Sequence, residues 1–160
     1  MIDGIISTGV DVFDIGIFPT PVQYFSIHYL NLDGGIMVTG SHNPPEFNGF
    51  KISVGKETIF GDAIQDIRRI IDAKDFKSGS GAKTQYFIIP HYINRLKEEF
   101  SPLINTDANL KIVIDAGNGT AGLVAPELFE DLGCKVIPLF CEPDGRFPNH
   151  HPDPTVVENL

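Results

Sequence analysis

The sequence predicts an α/β fold of three-layer α/β/α domains with mixed or mainly parallel sheets. Three observations predict it. Residues 110–140 run LKIVIDA, GNGTAG, APELFEDLG and KVIPLF, which read as strand, glycine turn, helix and strand, the start of a parallel sheet. The segment GFKISV (49–54) alternates apolar and polar residues, with Phe50, Ile52 and Val54 facing one way and Lys51 and Ser53 the other. DAIQDIRRIID (62–72) sets Ile64, Ile67 and Ile71 at helical spacing.

The remaining elements follow in order. MIDGIISTG reads as the tail of a helix stopped by Gly9, so an earlier start in a longer protein is expected. A short strand over 10–15 comes next. FPTP is a loop in which Thr20 suits the helix N-cap and Pro21 the first helical position. VQYFSIHYLNL continues as a helix with Val22, Phe25 and Tyr29 on one side, broken by Asp33, Gly34 and Gly35. Residues 36–39 read as a buried strand, ended abruptly by the polar GSHNPPE. SGSGA (78–82) is the expected flexible connection between two domains. A helix over 91–104 presents Ile93, Leu96, Phe100 and Leu103 as one stripe. The closing CEPDGRFPNHHPDPTVVENL is mostly loop.

Composition narrows the function classes. The chain has 160 residues, 42% hydrophobic and 21% charged, which is ordinary for a globular protein. Twelve Lys and Arg against twenty-one Asp and Glu leave a net charge of −9. So acidic a surface repels phosphate backbones and anionic lipid, and neither nucleic acid nor membrane is expected as a partner. A small phosphorylated substrate stays open, provided positive charge is gathered at one place. Cys134 and Cys141 read as reduced thiols of the interior. No apolar run approaches the roughly 20 residues of a membrane span, and no leader is visible, so the cytoplasm is the expected compartment.

The chemistry is concentrated in Thr39-Gly40-Ser41-His42-Asn43-Pro44-Pro45. Gly40, without a Cβ, allows close approach of a ligand. Pro44 drives Asn43 towards an extended conformation, and two successive prolines stiffen the exit. Ser41 is thereby pre-positioned at a strand terminus, with His42 placed to donate to an anion on the serine oxygen. A plain turn, with Ser41 and Asn43 bonding their own backbone, fits the same residues. Lys51 lies on the polar face of the next strand, after a connection short enough to fold it back over Ser41. Its ammonium can anchor a phosphate or exchange a proton with a hydroxyl; a solvated strand lysine is the alternative.

Other patterns compete. Gly117-Asn118-Gly119-Thr120-Ala121-Gly122 fits G-x-G-x-x-G after a strand, with Glu142 near the end of the next, and so suggests a dinucleotide-binding module. Against it, Pro126 belongs in a first helical turn and starts the helix too late, and Asp115 puts a carboxylate where a phosphate would sit. His150, His151 and Asp153 resemble a metal cluster, but neighbours in extended chain point apart, which favours a loop. Ser41 lacks the G-x-S-x-G elbow of a serine hydrolase.

GIMVTGSHNPPEFNGFKI resembles the phosphoserine loop of the α-D-phosphohexomutases, whose pattern is matched by Gly40 to Pro44 and by Asn48 to Lys51. GIFPTP is similar to the preceding loop of the family's domain 1, and VIDAGNGTAG and PDGRFPNHHPDP to parts of domain 2. Within the family the similarity is greatest to the bacterial bifunctional phosphomannomutase/phosphoglucomutase group, with phosphoglucosamine mutases the alternative. The resemblance implies that residues 1–87 are the back part of domain 1 and 88–160 the first part of domain 2, both incomplete. It implies a mannose or glucose phosphate as substrate, interconverted between its 1- and 6-phosphates through a bisphosphate. By the same resemblance Ser41 carries the phosphoryl group and contacts Mg²⁺ through it. Lys51 is the general acid/base, His42 and Asn43 line the site, Asp115 is no metal ligand, and glucose 1,6-bisphosphate is the activator. The family's Asp-Gly-Asp-Gly-Asp-Arg metal loop, its Gly-Glu-x-Ser-Gly-His sugar loop and its distal phosphate clamp are not found in these residues. The chain by itself is therefore expected to be inactive, and to self-associate through an open sheet edge.

Overall fold

A computed structural model of the chain describes residues 1–40, 46–104, 109–151, 153 and 155–157. The elements run α1 (Ile2–Ile6), β1 (Val12–Asp14), α2 (Thr20–Tyr29), β2 (Gly34–Thr39), β3 (Gly49–Val54), β4 (Glu57–Thr58), α3 (Asp62–Ala73), β5 (Lys83–Gln85), α4 (Ile89–Phe100), β6 (Lys111–Asp115), α5 (Ala125–Asp131) and β7 (Lys135–Leu139). Among the described residues, β1 pairs in parallel with β5 and β6 with β7, while β2, β3 and β4 form an antiparallel sheet. Mixed α/β architecture with parallel pairing is what the sequence predicts.

The core gathers Phe18, Val22, Ile88, Ile93 and Val124, with Ile15, Phe25, Met37, Tyr92, Leu123 and Leu128 packed against it. It therefore joins the start of α2, the start of α4 and the turn before α5. Val22 and Ile27 are almost wholly buried on α2, together with the polar Gln23 and Ser26. The buried residues of α2 are thus 22, 23, 26 and 27, and on the predicted Val22/Phe25/Tyr29 side Phe25 packs against the core. Phe25 and Tyr29 stack on each other at 5.1 Å, and Phe25 meets Tyr92 edge-on at 5.3 Å. Aromatic pairs favour these offset geometries.

The β2–β3 hairpin corrects the expectation of a buried strand. Ile36 pairs with Ile52, Val38 with Phe50 and Gly34 with Val54, so these residues share one face. That face is largely open: Val38, Phe50 and Val54 are exposed by 48%, 57% and 63%. The opposite face, with Gly35, Met37, Lys51 and Ser53, lies under α2. Gly35 makes the approach possible, because a Cβ there would meet Ile27 Cδ1 at 3.0 Å and Gln23 Nε2 at 3.1 Å. The alternation along β3 is as the sequence predicts, and the covered side carries the polar residues Lys51 and Ser53.

Further expectations are corrected. SGSGA is pinned rather than loose: Gly79 N–H donates to the Ser7 carbonyl (2.8 Å), Gly81 N–H to that of Ile6 (2.7 Å) and Ala82 N–H to Asp11 Oδ1 (2.8 Å). A Cβ on Gly79 would sit 2.6 Å from Gly9 Cα, so two glycines permit this contact. On α4 only the first part of the predicted stripe is covered, since Ile93 is buried whereas Phe100 and Leu103 are exposed. In the β6–β7 pair, Ile112, Ile114 and Val136 are half-buried while Val113 and Ile137 are exposed, and α5 packs on β7. Cys134 and Cys141 are free thiols of intermediate burial rather than core residues.

Candidate active site

Ser41, His42 and Asn43 lie outside the described residues. Strand β2 ends at Thr39, which pairs with Gly49 at the start of β3, so residues 40–48 join two antiparallel strands. The strand terminus at which the sequence sets Ser41 is the end of β2, which is antiparallel to β3, so the loop is carried by a hairpin. Lys51 pairs with Met37, two positions inside the Thr39–Gly49 pair. At about 3.4 Å per residue its backbone is about 7 Å from the loop's root, on the same face as Thr39.

The Lys51 ammonium donates to Thr20 Oγ1 at 3.2 Å in a partly buried setting. This partnership explains a departure from the expected helix start. Thr20 is the first helical residue, Pro19 occupies the cap position in extended conformation, and no side chain caps the helix. The Thr20 hydroxyl, expected to cap α2, serves Lys51 instead. Sequence reasoning missed this role; the available signal was a hydroxyl residue set between two prolines. Among the described residues, no carboxylate forms an ion pair with Lys51, and the first turn of α2 carries no acidic residue. An uncompensated ammonium beside the positive end of a helix is a setting that favours an anion.

A second polar cluster closes the carboxyl ends of β6 and β7. The Asp115 carboxylate accepts from Gly117 N–H at 2.8 Å and from His150 Nε2 at 3.0 and 3.1 Å. His150 Nδ1 donates to the His151 carbonyl at 3.0 Å. Asn118, held at φ +56°, donates to the Glu142 carbonyl and accepts from Asn149. An open cavity of about 360 Å³ is lined there by Asn118, Glu142, Pro143, Asp144, Arg146 and Pro148. Its guanidinium is already engaged: Arg146 donates to both Asp144 oxygens, and this pairing lowers the Asp144 pKa to about 2.

This geometry argues against dinucleotide binding. The Gly117 N–H is taken by Asp115, a 3₁₀ turn spans Thr120–Leu123, and α5 begins only at Ala125. A Cβ on Gly122 would collide with the Cys141 carbonyl, so that glycine serves packing of the turn against the following segment. His150 is committed to Asp115. Among the described residues no three His, Cys, Asp or Glu side chains come together to hold a metal ion. The Mg²⁺ implied by the resemblance therefore finds no ligand set in them.

Fold and site together define an α/β protein with a parallel β-α-β unit and a hairpin that presents a lysine beside a helix start. Comparison with known proteins specifies the class. The family description "Phosphoglucomutase/phosphomannomutase, alpha/beta/alpha domain I" matches residues 1–78, and the corresponding domain II description matches residues 90–160. The chain is 48% identical over 160 residues to a phosphomannomutase/phosphoglucomutase of Pseudomonas aeruginosa, and 40% identical over 159 residues to a phosphoglucomutase of Neisseria meningitidis. It spans 100% and 98% of itself in those alignments but only 34% of each relative, about a third of their length. A crystal structure of a phosphoglucomutase/phosphomannomutase family protein from Burkholderia thailandensis superposes with a TM-score of 0.88 at 44% identity, covering 99% of this chain and 35% of that one. The chain belongs to the phosphoglucomutase/phosphomannomutase family, the phosphohexomutases.

Proposed function

We infer that the chain supplies the phosphoryl-carrying part of an intramolecular phosphotransferase that interconverts hexose 1-phosphate and hexose 6-phosphate. Mannose and glucose phosphates are the substrates by analogy with the relatives' names. The observation that carries this reading is the Lys51 ammonium. It is held by Thr20 at the start of α2, unpaired by any described carboxylate, on the hairpin whose connecting loop contains Ser41.

In this reading Ser41 bears the phosphoryl group. A sugar hydroxyl oxygen bonds to phosphorus as the bond to Ser41 Oγ breaks, giving a bisphosphorylated sugar. Lys51 relays the hydroxyl proton towards the departing serine oxygen. After the sugar reverses, its other phosphate returns to Ser41 and the proton passes back, so the enzyme ends as it began. His42 and Asn43 line the site. Such chemistry needs positioning and neutralisation of phosphoryl oxygens more than covalent assistance.

The boundary between two domains is placed at 87/88, a reading supported by family matches that leave 79–89 between them. Free thiols at Cys134 and Cys141 support a cytoplasmic setting, and no helix among the described residues is long and apolar enough to cross a membrane. The phosphoserine and a Mg²⁺ bound to its phosphate belong to the same proposal, with further metal ligands outside this chain.

The test is intact mass after exposure to glucose 1,6-bisphosphate. Gain of one phosphoryl group, lost in Ser41→Ala, is expected. Label that persists in Ser41→Ala sinks the carrier assignment. A coupled assay on the 160-residue chain is expected to show no turnover; turnover there means the distal loops are dispensable.

A further inference from the structure

We propose that Thr20 is a positioning residue that fixes the Lys51 ammonium for proton transfer. This rests on the phosphotransferase reading above and assigns a role to a residue outside the serine loop. A lysine head group is a compact charge on a flexible four-carbon stem, with three donors and no acceptor. Left alone on a strand it samples many rotamers, and an acid/base group must stay within hydrogen-bond reach of the proton it moves. The 3.2 Å bond to Thr20 Oγ1 removes that freedom.

Thr20 is suited to the task because it is itself immobile. Pro19 and Pro21 flank it and restrict the backbone on both sides. Phe18 and Val22, two residues away in each direction, are core side chains at 8% and 0% exposure. A β-branched residue also has few χ1 states. The hydroxyl is not spent on capping, since α2 has no side-chain cap. One acceptor takes one N–H, and among the described residues no carboxylate claims the others. The ammonium is thus tethered yet still able to donate towards a reacting oxygen.

Thr20→Val keeps shape and removes the acceptor; Thr20→Ser keeps the acceptor. In the 160-residue chain, trace acylation with acetic anhydride is read by peptide mass spectrometry at Lys51, with the exposed Lys56 as internal reference. Thr20→Val is expected to raise the Lys51-to-Lys56 labelling ratio several-fold, and Thr20→Ser to restore it. An unchanged ratio in Thr20→Val overturns the tether. In a form extended to the length of the relatives, Thr20→Val is expected to lower kcat by about ten- to a hundred-fold, with KM for the hexose phosphate little changed and Thr20→Ser restoring kcat. Equal loss in kcat and gain in KM, or no rescue by serine, overturns positioning. Ser41→Ala runs in parallel. If it retains turnover, the phosphoserine reading itself fails, whereas an inactive Ser41→Ala beside a fully active Thr20→Val defeats only the role of Thr20.

Discussion

His150 reaches across from the closing loop to Asp115 at the end of β6, and its two ring nitrogens both face oxygen acceptors. Nε2 lies 3.0 Å from Asp115 Oδ1 and Nδ1 lies 3.0 Å from the His151 carbonyl. Only the imidazolium can donate to both, since a neutral ring has one N–H. The His151 carbonyl first, and the Asp115 carboxylate second, therefore raise the His150 pKa above the usual 6.5. Phe140 meets the ring edge-on at 5.6 Å and adds no competing charge.

The sign of the pH effect follows. A group whose pKa is raised on folding contributes its full stabilisation below the unfolded value of 6.5, and that contribution is lost as pH rises through the higher folded value. The tie between β6 and the closing loop should be strongest below pH 6.5 and weaken above it. NMR titration of the His150 ring, compared between the native chain and Asp115→Asn, checks this. An ordinary or lowered midpoint in the native chain rules the tie out.

Gln23 gives a stability prediction. It is 2% exposed, and neither atom of its amide has a hydrogen-bond partner among the described residues. A buried amide left unpaired costs about 1–3 kcal/mol. Gln23→Leu, of similar size, should raise the denaturation midpoint by a corresponding amount. A fall in the midpoint means that the amide is satisfied in solution.

Gly122 predicts the reverse. Any Cβ there meets the Cys141 carbonyl, whereas a Cβ on Gly145 meets nothing within 4 Å. Gly122→Ala should cost about 1–3 kcal/mol, as overpacking does, and Gly145→Ala little. Equal urea midpoints for the two variants contradict the described packing of the turn.

The open face of the hairpin bears on association. Ile36, Val38, Phe50 and Val54 form an exposed apolar surface that should bring copies of the 160-residue chain together. Sedimentation velocity over a concentration series should show reversible growth in mass, reduced in Phe50→Asp. A concentration-independent monomer defeats the expectation.

Much of this was readable from residues alone, for identifiable reasons. The β6-α5-β7 unit announces itself through two apolar runs, a glycine turn and Pro126 at the start of a helix. The polar side of β3 that carries Lys51 is legible, because alternation dictates which residues share a side. Which side is covered was not legible: that depends on α2 settling over Gly35, a tertiary choice no local pattern encodes. SGSGA misled for a related reason, since its composition suits a loose linker equally well as a close glycine–glycine contact with Gly9 and backbone bonds to Ser7 and Ile6. The sequence makes Thr20 a cap because caps are local, whereas its partner Lys51 is thirty-one residues away. The serine segment carried the family signal through its residue types, independent of any fold.

The ladder between β2 and β3 separates two kinds of change. Lys51 takes its side of the sheet from its count along β3, opposite Met37, and owes nothing to what fills the nine positions between Thr39 and Gly49. Loop substitutions can thus change the connecting segment while the Lys51 ammonium keeps its place beside Thr20. Losing a single residue between Gly49 and Lys51, by contrast, would turn the amine to the outer side of the sheet, away from Thr20, in one step.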